Sequence, residues 1–171
     1  LLPYLSQWRS GHLSNYEYII ILNMISGKSF NDINQYPVFP WILNDFSNFE
    51  SIRDFKTQKA NTVPPNSVLM YLNTIDPFRT LYKNQNMDDE FFSIDDYCDY
   101  AKNNNIEFVP EIYSMPELFM TANFALPMWA NSAMELVYLL RKVLESDRVT
   151  LNLNHWFTNM FGPKALDKSY K

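Results

Sequence analysis

The sequence predicts a mainly α single domain whose helices pack around irregular extended core segments. Three observations predict it. Ser-x-x-Glu patterns of the capping-box type begin at Ser14, Ser114 and Ser132, and apolar residues recur at helical spacing after the first and last of them. Two apolar, Pro-containing segments, 36–41 and 124–129, are flanked by helical stretches and are expected to cross the centre of the fold. Finally, 171 residues are enough for one core and too few for two comfortable ones, and no internal repeat divides them.

Ser14 caps the first clear helix, Glu17 returns to its backbone N–H, and Gly27 stops it. Tyr16, Ile19, Ile20, Asn23 and Met24 fall on one side, and Ile21, Leu22 and Ile25 widen the apolar face, so burial on more than one side is expected. Pro37 and Pro40 then push Tyr36 and Phe39 toward extended geometry, which makes 36–41 neither helix nor ordinary central strand. Its backbone groups need partners that no ladder supplies, and Asn31, Asn34, Gln35 and Asn44 are placed to be those partners. Residues 48–66 carry Lys56, Gln58, Lys59, Pro64 and Pro65 without a period and read as a connection.

Residues 68–75 suit a helix capped at Asn66 or Ser67, or a buried strand, and Asp76 with Pro77 ends either. Ser93 opens a short helix with Tyr97, Tyr100 and Ala101 on one face, which Asn103, Asn104 and Asn105 are expected to fray. Pro116 sits inside the first turn of the element at Ser114, where its missing N–H does no harm. After Ser132 the stripe Met134, Leu136, Val137, Leu140, Val143 and Leu144 runs toward Arg141 and Lys142, cations that suit a helix C-terminus. Ser146 or Asp147 restarts the chain. Val149, Leu153, Trp156, Phe157, Met160 and Phe161 then recur until Gly162 and Pro163, so two amphipathic helices joined by a short link are expected to pack together.

Composition excludes several function classes. With 14 basic and 19 acidic residues the net charge is −5, and no Lys/Arg run exists to track phosphates, so nucleic acid is not an expected partner. Only 3 Gly argue against a phosphate loop, and no Gly-x-Ser-x-Gly elbow is present. His12 and His155 have no Cys or second His at ligand spacing, so neither a metal nor another cofactor is expected. Cys98 is the single cysteine, which rules out an internal disulfide, reads as a small buried hydrophobe and agrees with a reducing, cytoplasmic compartment. No apolar run approaches the ~18–20 residues that span a bilayer, and no basic n-region marks a secretory signal. The acidic clusters at 88–90 and 95–96 read as solvated faces. An aromatic content of 16% with 8 Met implies either a large apolar core or a large apolar contact face.

Residues 13–43, the capped helix running into Tyr36-Pro37-Val38-Phe39-Pro40-Trp41, resemble the signature of the BEACH domain, a module of large cytoplasmic trafficking proteins. The likeness recurs in order: Asp76-Pro77-Phe78 after Tyr71-Leu72, Pro110-Glu111-Ile112-Tyr113 through Pro116-Glu117, Leu126-Pro127-Met128-Trp129-Ala130, Leu144-Glu145-Ser146, and His155-Trp156-Phe157 with Phe161-Gly162. The resemblance favours helix for 68–75. It implies a BEACH-like domain over 1–171, shortened between Phe46 and Val68 where only Arg53-Asp54-Phe55 remains of a longer stretch, and expected to be excised from a longer protein. Met128 stands where the family has Pro, and Pro163 interrupts the usual continuation.

The function so implied is a non-catalytic scaffold in vesicle- and lysosome-related traffic. It would bind a neighbouring pleckstrin-like domain or another protein and sit peripherally on intracellular membranes. Asn34, Gln35, Tyr36, Trp41, Glu111, Trp129, Glu145 and His155 are the expected partner-binding or motif-supporting residues. Glu111 and Glu145, among aromatic residues, are expected to anchor Arg or backbone N–H groups. The alternative is a hydrolase-like enzyme using Glu111 or Glu145 with His155.

Overall fold

The computed structural model describes residues 2–60, 93–120 and 124–162, together with residues 68, 72, 75–78, 80 and 81. Helices α1 (Leu2–Arg9), α2 (Asn15–Ile25), α3 (Ile94–Asn103), α4 (Ala133–Leu144), α5 (Asp147–Thr150) and α6 (Leu153–Phe161) are joined by irregular chain containing 3₁₀ turns at Ile33–Gln35, Pro110–Tyr113 and Pro116–Phe119. Strand pairing among the described residues is limited to isolated bridges, antiparallel for Phe39 with Phe108 and Leu43 with Ile52, parallel for Ser93 with Ala125. The protein is therefore mainly α, as its sequence predicts. The helix expected over 68–75 lies largely outside the described residues, of which Val68 and Leu72 are helical.

Serine caps explain where α2, α3, α4 and α5 begin. The Ser14 backbone N–H donates to Glu17 Oε2 at 2.8 Å while the Glu17 N–H donates to Ser14 Oγ, and the bonds that the Ser14 N–H and hydroxyl give the carboxylate hold it below its ordinary value. Gly27, just past the end of α2, takes a φ of +84° that an L side chain rarely adopts. The buried face of α2 is narrower than the sequence suggests, with Asn15, Tyr18, Ile19, Leu22 and Asn23 covered and Met24 and Ile25 exposed. Those five positions follow the i, i+3, i+4, i+7 stripe, so one face meets the core.

The other two Ser-x-x-Glu patterns resolve differently. At Ser132 the hydroxyl caps α4, but the Glu135 carboxylate passes over Ser132 and takes both donors of Asn131, its backbone N–H at 2.8 Å and Nδ2 at 2.9 Å. At Ser114 the hydroxyl turns back to the Pro110 carbonyl and the chain makes a 3₁₀ turn without a side-chain cap. The three asparagines at the end of α3, Asn103 inside it and Asn104 and Asn105 beyond, do not fray it. Asn105 adopts φ 52°, and the Ile106 N–H returns to the Ala101 carbonyl at 2.9 Å, closing the helix in the manner of a Schellman turn with Asn in the left-handed position. The last predicted helix is broken at Leu151 and Asn152 into α5, capped by Ser146, and α6. A Cβ at Gly162 would lie 2.2 Å from the Thr158 carbonyl oxygen, so that stop admits only glycine.

The core is built on residues 36–43, with Val38, Phe39, Ile42 and Leu43 sealed from water. Their backbone is not satisfied by the polar residues the sequence points to, since Asn34 and Gln35 are exposed. Phe39 and Phe108 exchange two backbone bonds of 2.8 Å each. Asn23, buried on α2, accepts from the Val38 N–H at 2.9 Å and donates to the Val38 carbonyl at 3.0 Å, a side chain taking the place of a neighbouring strand. The buried Tyr113 hydroxyl donates to the Pro40 carbonyl at 2.5 Å. Asn44 acts just beyond the segment, its N–H on the Ser51 carbonyl.

Residues 124–129 correct a second expectation, for they run along the surface. Met128 is 99% exposed and Trp129 half-buried, whereas Trp41 is buried. Trp129 rests its ring on Phe49 at 4.4 Å and donates its indole N–H to the Phe46 carbonyl. Conversely, the stretch expected to be a mere connection sends Arg53 and Phe55 into the core, at 2% and 1% exposure.

Asn23→Ala tests the polar clamp on the central segment. It strands the Val38 N–H and carbonyl inside the core at about 1–3 kcal/mol for each group. Urea unfolding should show a loss of about 2–4 kcal/mol, and a loss below about 0.5 kcal/mol would mean that the segment is held in another way.

Candidate functional site

Three polar clusters are built into the apolar interior. The first is an ion pair. The bridge between Leu43 and Ile52 ends with the Arg53 N–H on the Ile42 carbonyl, which aims the side chain inward. Arg53 Nη1 and Nη2 grip Glu107 Oε2 and Oε1 at 2.8 Å each, and Trp156 Nε1 of α6 adds a third bond to Oε1 at 3.0 Å. The remaining guanidinium donors reach the Gln58 and Trp41 carbonyls. The guanidinium carbon lies 3.9 Å over the Trp41 ring. Every oxygen and nitrogen of the pair is thus occupied inside the protein, with Glu107 0% exposed.

The second cluster joins the two ends of the described chain. Glu145, at the C-cap of α4, accepts from the Asn15 N–H at 2.6 Å and the Tyr16 N–H at 3.0 Å, the first turn of α2, where N–H groups have no helical partner. Asn15 Nδ2 donates to the Leu144 carbonyl and to Thr150 Oγ1, and Trp8 Nε1 donates to Asn15 Oδ1, each at 2.7 Å. Arg141 stacks 3.7 Å over the Tyr16 ring beside this junction.

The third cluster is Tyr36 with Glu111. The Tyr36 hydroxyl donates to Glu111 Oε1 at 2.5 Å, while the buried Oε2 has no hydrogen-bond partner among the described residues. Burial pushes the Glu111 carboxyl above its ordinary value, and the Tyr36 bond offsets part of that rise.

Of the residues singled out in the sequence, Tyr36 and Glu111 are brought together, and the two carboxylates and the imidazole do not converge. Glu111 and Glu145 lie in different clusters, and His155, half-buried on α6, makes no side-chain hydrogen bond to either among the described residues. Hydrolase chemistry from these three needs carboxylate and imidazole within reach of each other, and among the described residues no hydrogen bond joins them. Cys98 is buried, with its thiol pushed up to about 12 by burial, so it holds its proton and packs as an apolar group. The acidic run 88–90 lies outside the described residues.

Sequence reasoning missed Glu107, Asn15 and Asn23. Glu107 did leave a signal, a lone carboxylate inside the apolar run from Ile106 to Val109, where an unpaired charge is too costly to bury. On the outside, an open trough of about 390 Å³ lies between residues 49–52 and α4, with Phe49, Ile52, Leu139 and Val143 as its apolar lining. Phe49 is the ring that Trp129 covers.

Compared with known proteins, residues 6–63 and 54–170 match the Beige/BEACH domain family. A putative neurobeachin homolog of Caenorhabditis briggsae is 29% identical over an alignment of 220 positions, gaps included, that covers 93% of this chain and 9% of that protein. The BEACH domain-containing protein lvsD of Dictyostelium discoideum is 30% identical over 223 alignment positions, covering 95% of this chain and 8% of that protein. BEACH domain-containing protein B of Arabidopsis thaliana is 27% identical over 223 alignment positions. The chain spans 9% of this last relative too, so in each comparison it covers under a tenth of the curated protein.

Arg53→Met alone should cost about 3–5 kcal/mol, because it leaves Glu107 buried without its partner, whereas Arg53→Met with Glu107→Leu should recover most of that loss. Denaturant unfolding of the four-protein cycle checks it, and strict additivity of the two single effects would show that the pair is not coupled.

Glu111 makes a pH prediction. The folded chain binds its proton more tightly than the unfolded chain, so this group's contribution to stability is full below the ordinary value of 4.5 and is lost as pH rises through the raised folded value. Glu111→Gln removes the charge, so its stability relative to wild type should improve from pH 4 toward neutrality in denaturation curves. Parallel profiles for the two proteins would contradict the assignment.

Proposed function

Since the chain belongs to the Beige/BEACH domain family, we propose that it is a non-catalytic protein-interaction module in vesicle- and lysosome-related membrane traffic, docking a neighbouring pleckstrin-like domain or another protein. The observation that carries this reading is the division of labour between its polar and apolar groups. Several carboxylates and amides of the family-like motifs are turned inward and consumed in holding backbone, Glu145 at the start of α2 and Asn23 on the irregular chain at Val38, while Asn34 and Gln35 stay exposed. Half-buried aromatic and aliphatic side chains, Phe49 and Trp129 among them, are left on a surface fixed by that framework. A rigid apolar surface of this kind is suited to binding, since little side-chain freedom remains to be lost on contact.

Membrane association, in this reading, comes through partners. No helix among the described residues is long and apolar enough to cross a membrane, and the net charge of −5 gives no attraction to anionic lipid.

Isothermal titration of the chain with the neighbouring pleckstrin-like domain that this reading requires, expressed separately, should give saturable binding. Trp129→Ala, checked for folding by circular dichroism, should weaken it by about 2 kcal/mol. Absence of binding, together with turnover of an ester or glycoside panel that Glu111→Gln abolishes, would replace this reading with an enzymatic one.

A further inference from the structure

The trough beside α4 has the anatomy of a small protein interface, an apolar floor ringed by charge. Leu139, Lys142 and Val143 occupy one face of α4 at helical spacing, and Phe49 and Ile52 face them from the loop. Both walls are stiff. α4 is a capped three-turn helix, and the Phe49 side is braced by the Trp129 ring, whose indole is itself tied to the Phe46 carbonyl. A volume of about 390 Å³ is enough to seat a bulky apolar side chain with its neighbours.

The rim decides what such an occupant must carry. Glu50 and Arg148 pair across the trough at 2.8 Å, both exposed, an arrangement that water screens and that a ligand can rearrange at little cost. Lys142 is exposed and has no hydrogen-bond or ion-pair partner among the described residues. One anion thus faces two cations, so the rim is positive on a chain whose net charge is −5. An apolar ligand without charge would leave Lys142 unused, and a basic one would be repelled. A carboxylate beside the apolar anchor complements both features. An anionic lipid surface fits less well, because a single free lysine on an acidic domain supplies little of the attraction that polybasic segments use.

Resting on the reading of this domain as an interaction module, we propose that the trough docks a short segment of a partner protein in which a bulky apolar residue is flanked by Asp or Glu. The apolar side chain enters between Phe49, Ile52, Leu139 and Val143, and the carboxylate pairs with Lys142 and draws Arg148 from Glu50.

A displayed library of random peptides selected on the whole chain tests this, with enriched peptides synthesised and measured by fluorescence anisotropy. Enrichment of an apolar residue next to Asp or Glu is expected, with binding that weakens as salt rises. Lys142→Glu, a change on an exposed side chain, should weaken it on the order of tenfold or more. Three results overturn the proposal: no enrichment above background, enriched peptides without an acidic residue, or equal binding to wild type and Lys142→Glu. Co-flotation with phosphatidylserine vesicles that Lys142→Glu abolishes, without peptide enrichment, assigns the trough to lipid instead. The pleckstrin-like domain is titrated in parallel. Binding of that domain without peptide enrichment sinks the trough alone, and peptide binding without that domain sinks the pleckstrin-docking reading alone.

Discussion

The bidentate contact of Arg53 with Glu107 is the constraint around which the other parts must be placed. Two opposite charges are sealed from water, where each alone would cost several kcal/mol to desolvate. Their burial is tolerable only because the lone pairs and protons of both are met: the carboxylate by the guanidinium and the Trp156 indole, the guanidinium by the Gln58 and Trp41 carbonyls. Those partners come from the 41–58 loop, the chain after α3, and α6. Moving any of these elements by an ångström would leave a charge partly unmet, so the pair acts as a geometric lock on parts that no sheet connects. Trp41, stacked on the guanidinium, is held by the same lock even though its own Nε1 finds no acceptor among the described residues.

The same logic recurs in neutral form wherever irregular chain is buried. Residues 36–43 lie in the core without a sheet, and the cost of their backbone groups is met one at a time, by Phe108, by the Asn23 amide and by the Tyr113 hydroxyl. Burial in turn drives the Tyr113 hydroxyl's own ionisation well above its usual range, so it remains a donor at any ordinary pH. At the α2 junction Glu145 serves two orphan N–H groups of one helix from the end of another, which couples α2 to α4 by charge and not by packing alone.

This inward use of polar chemistry occupies Glu145, Asn15 and Asn23 with backbone, and among the described residues neither Glu111 nor Glu145 bonds to His155. Function, on the reading given above, belongs to what the framework leaves outside: the braced Phe49 and Trp129 edge and the trough with its positive rim.

Local chemistry alone determined much of this protein. The capped start of α2, its stop at Gly27, the start of α3 at Ser93 and the apolar stripe of α4 follow from interactions among residues three or four apart, which the sequence carries in full. The order of aromatic and Pro-bracketed motifs likewise sufficed to place the chain in its family. Tertiary structure decided the rest. Nothing near Arg53 in sequence distinguishes it from a solvated arginine in a polar linker; its partner lies 54 positions away. Residues 36–41 and 124–129 look alike as strings of Pro and aromatic side chains, yet the first is buried and the second mostly half-buried at the edge of the core, because only the first meets Asn23, Phe108 and Tyr113 across the fold. Asn34 and Gln35 had the right chemistry and the wrong position. A buried polar group is satisfied by whatever lies within about 3 Å of it, and for chain without regular secondary structure that distance is set by the packing of distant elements, which no local pattern encodes.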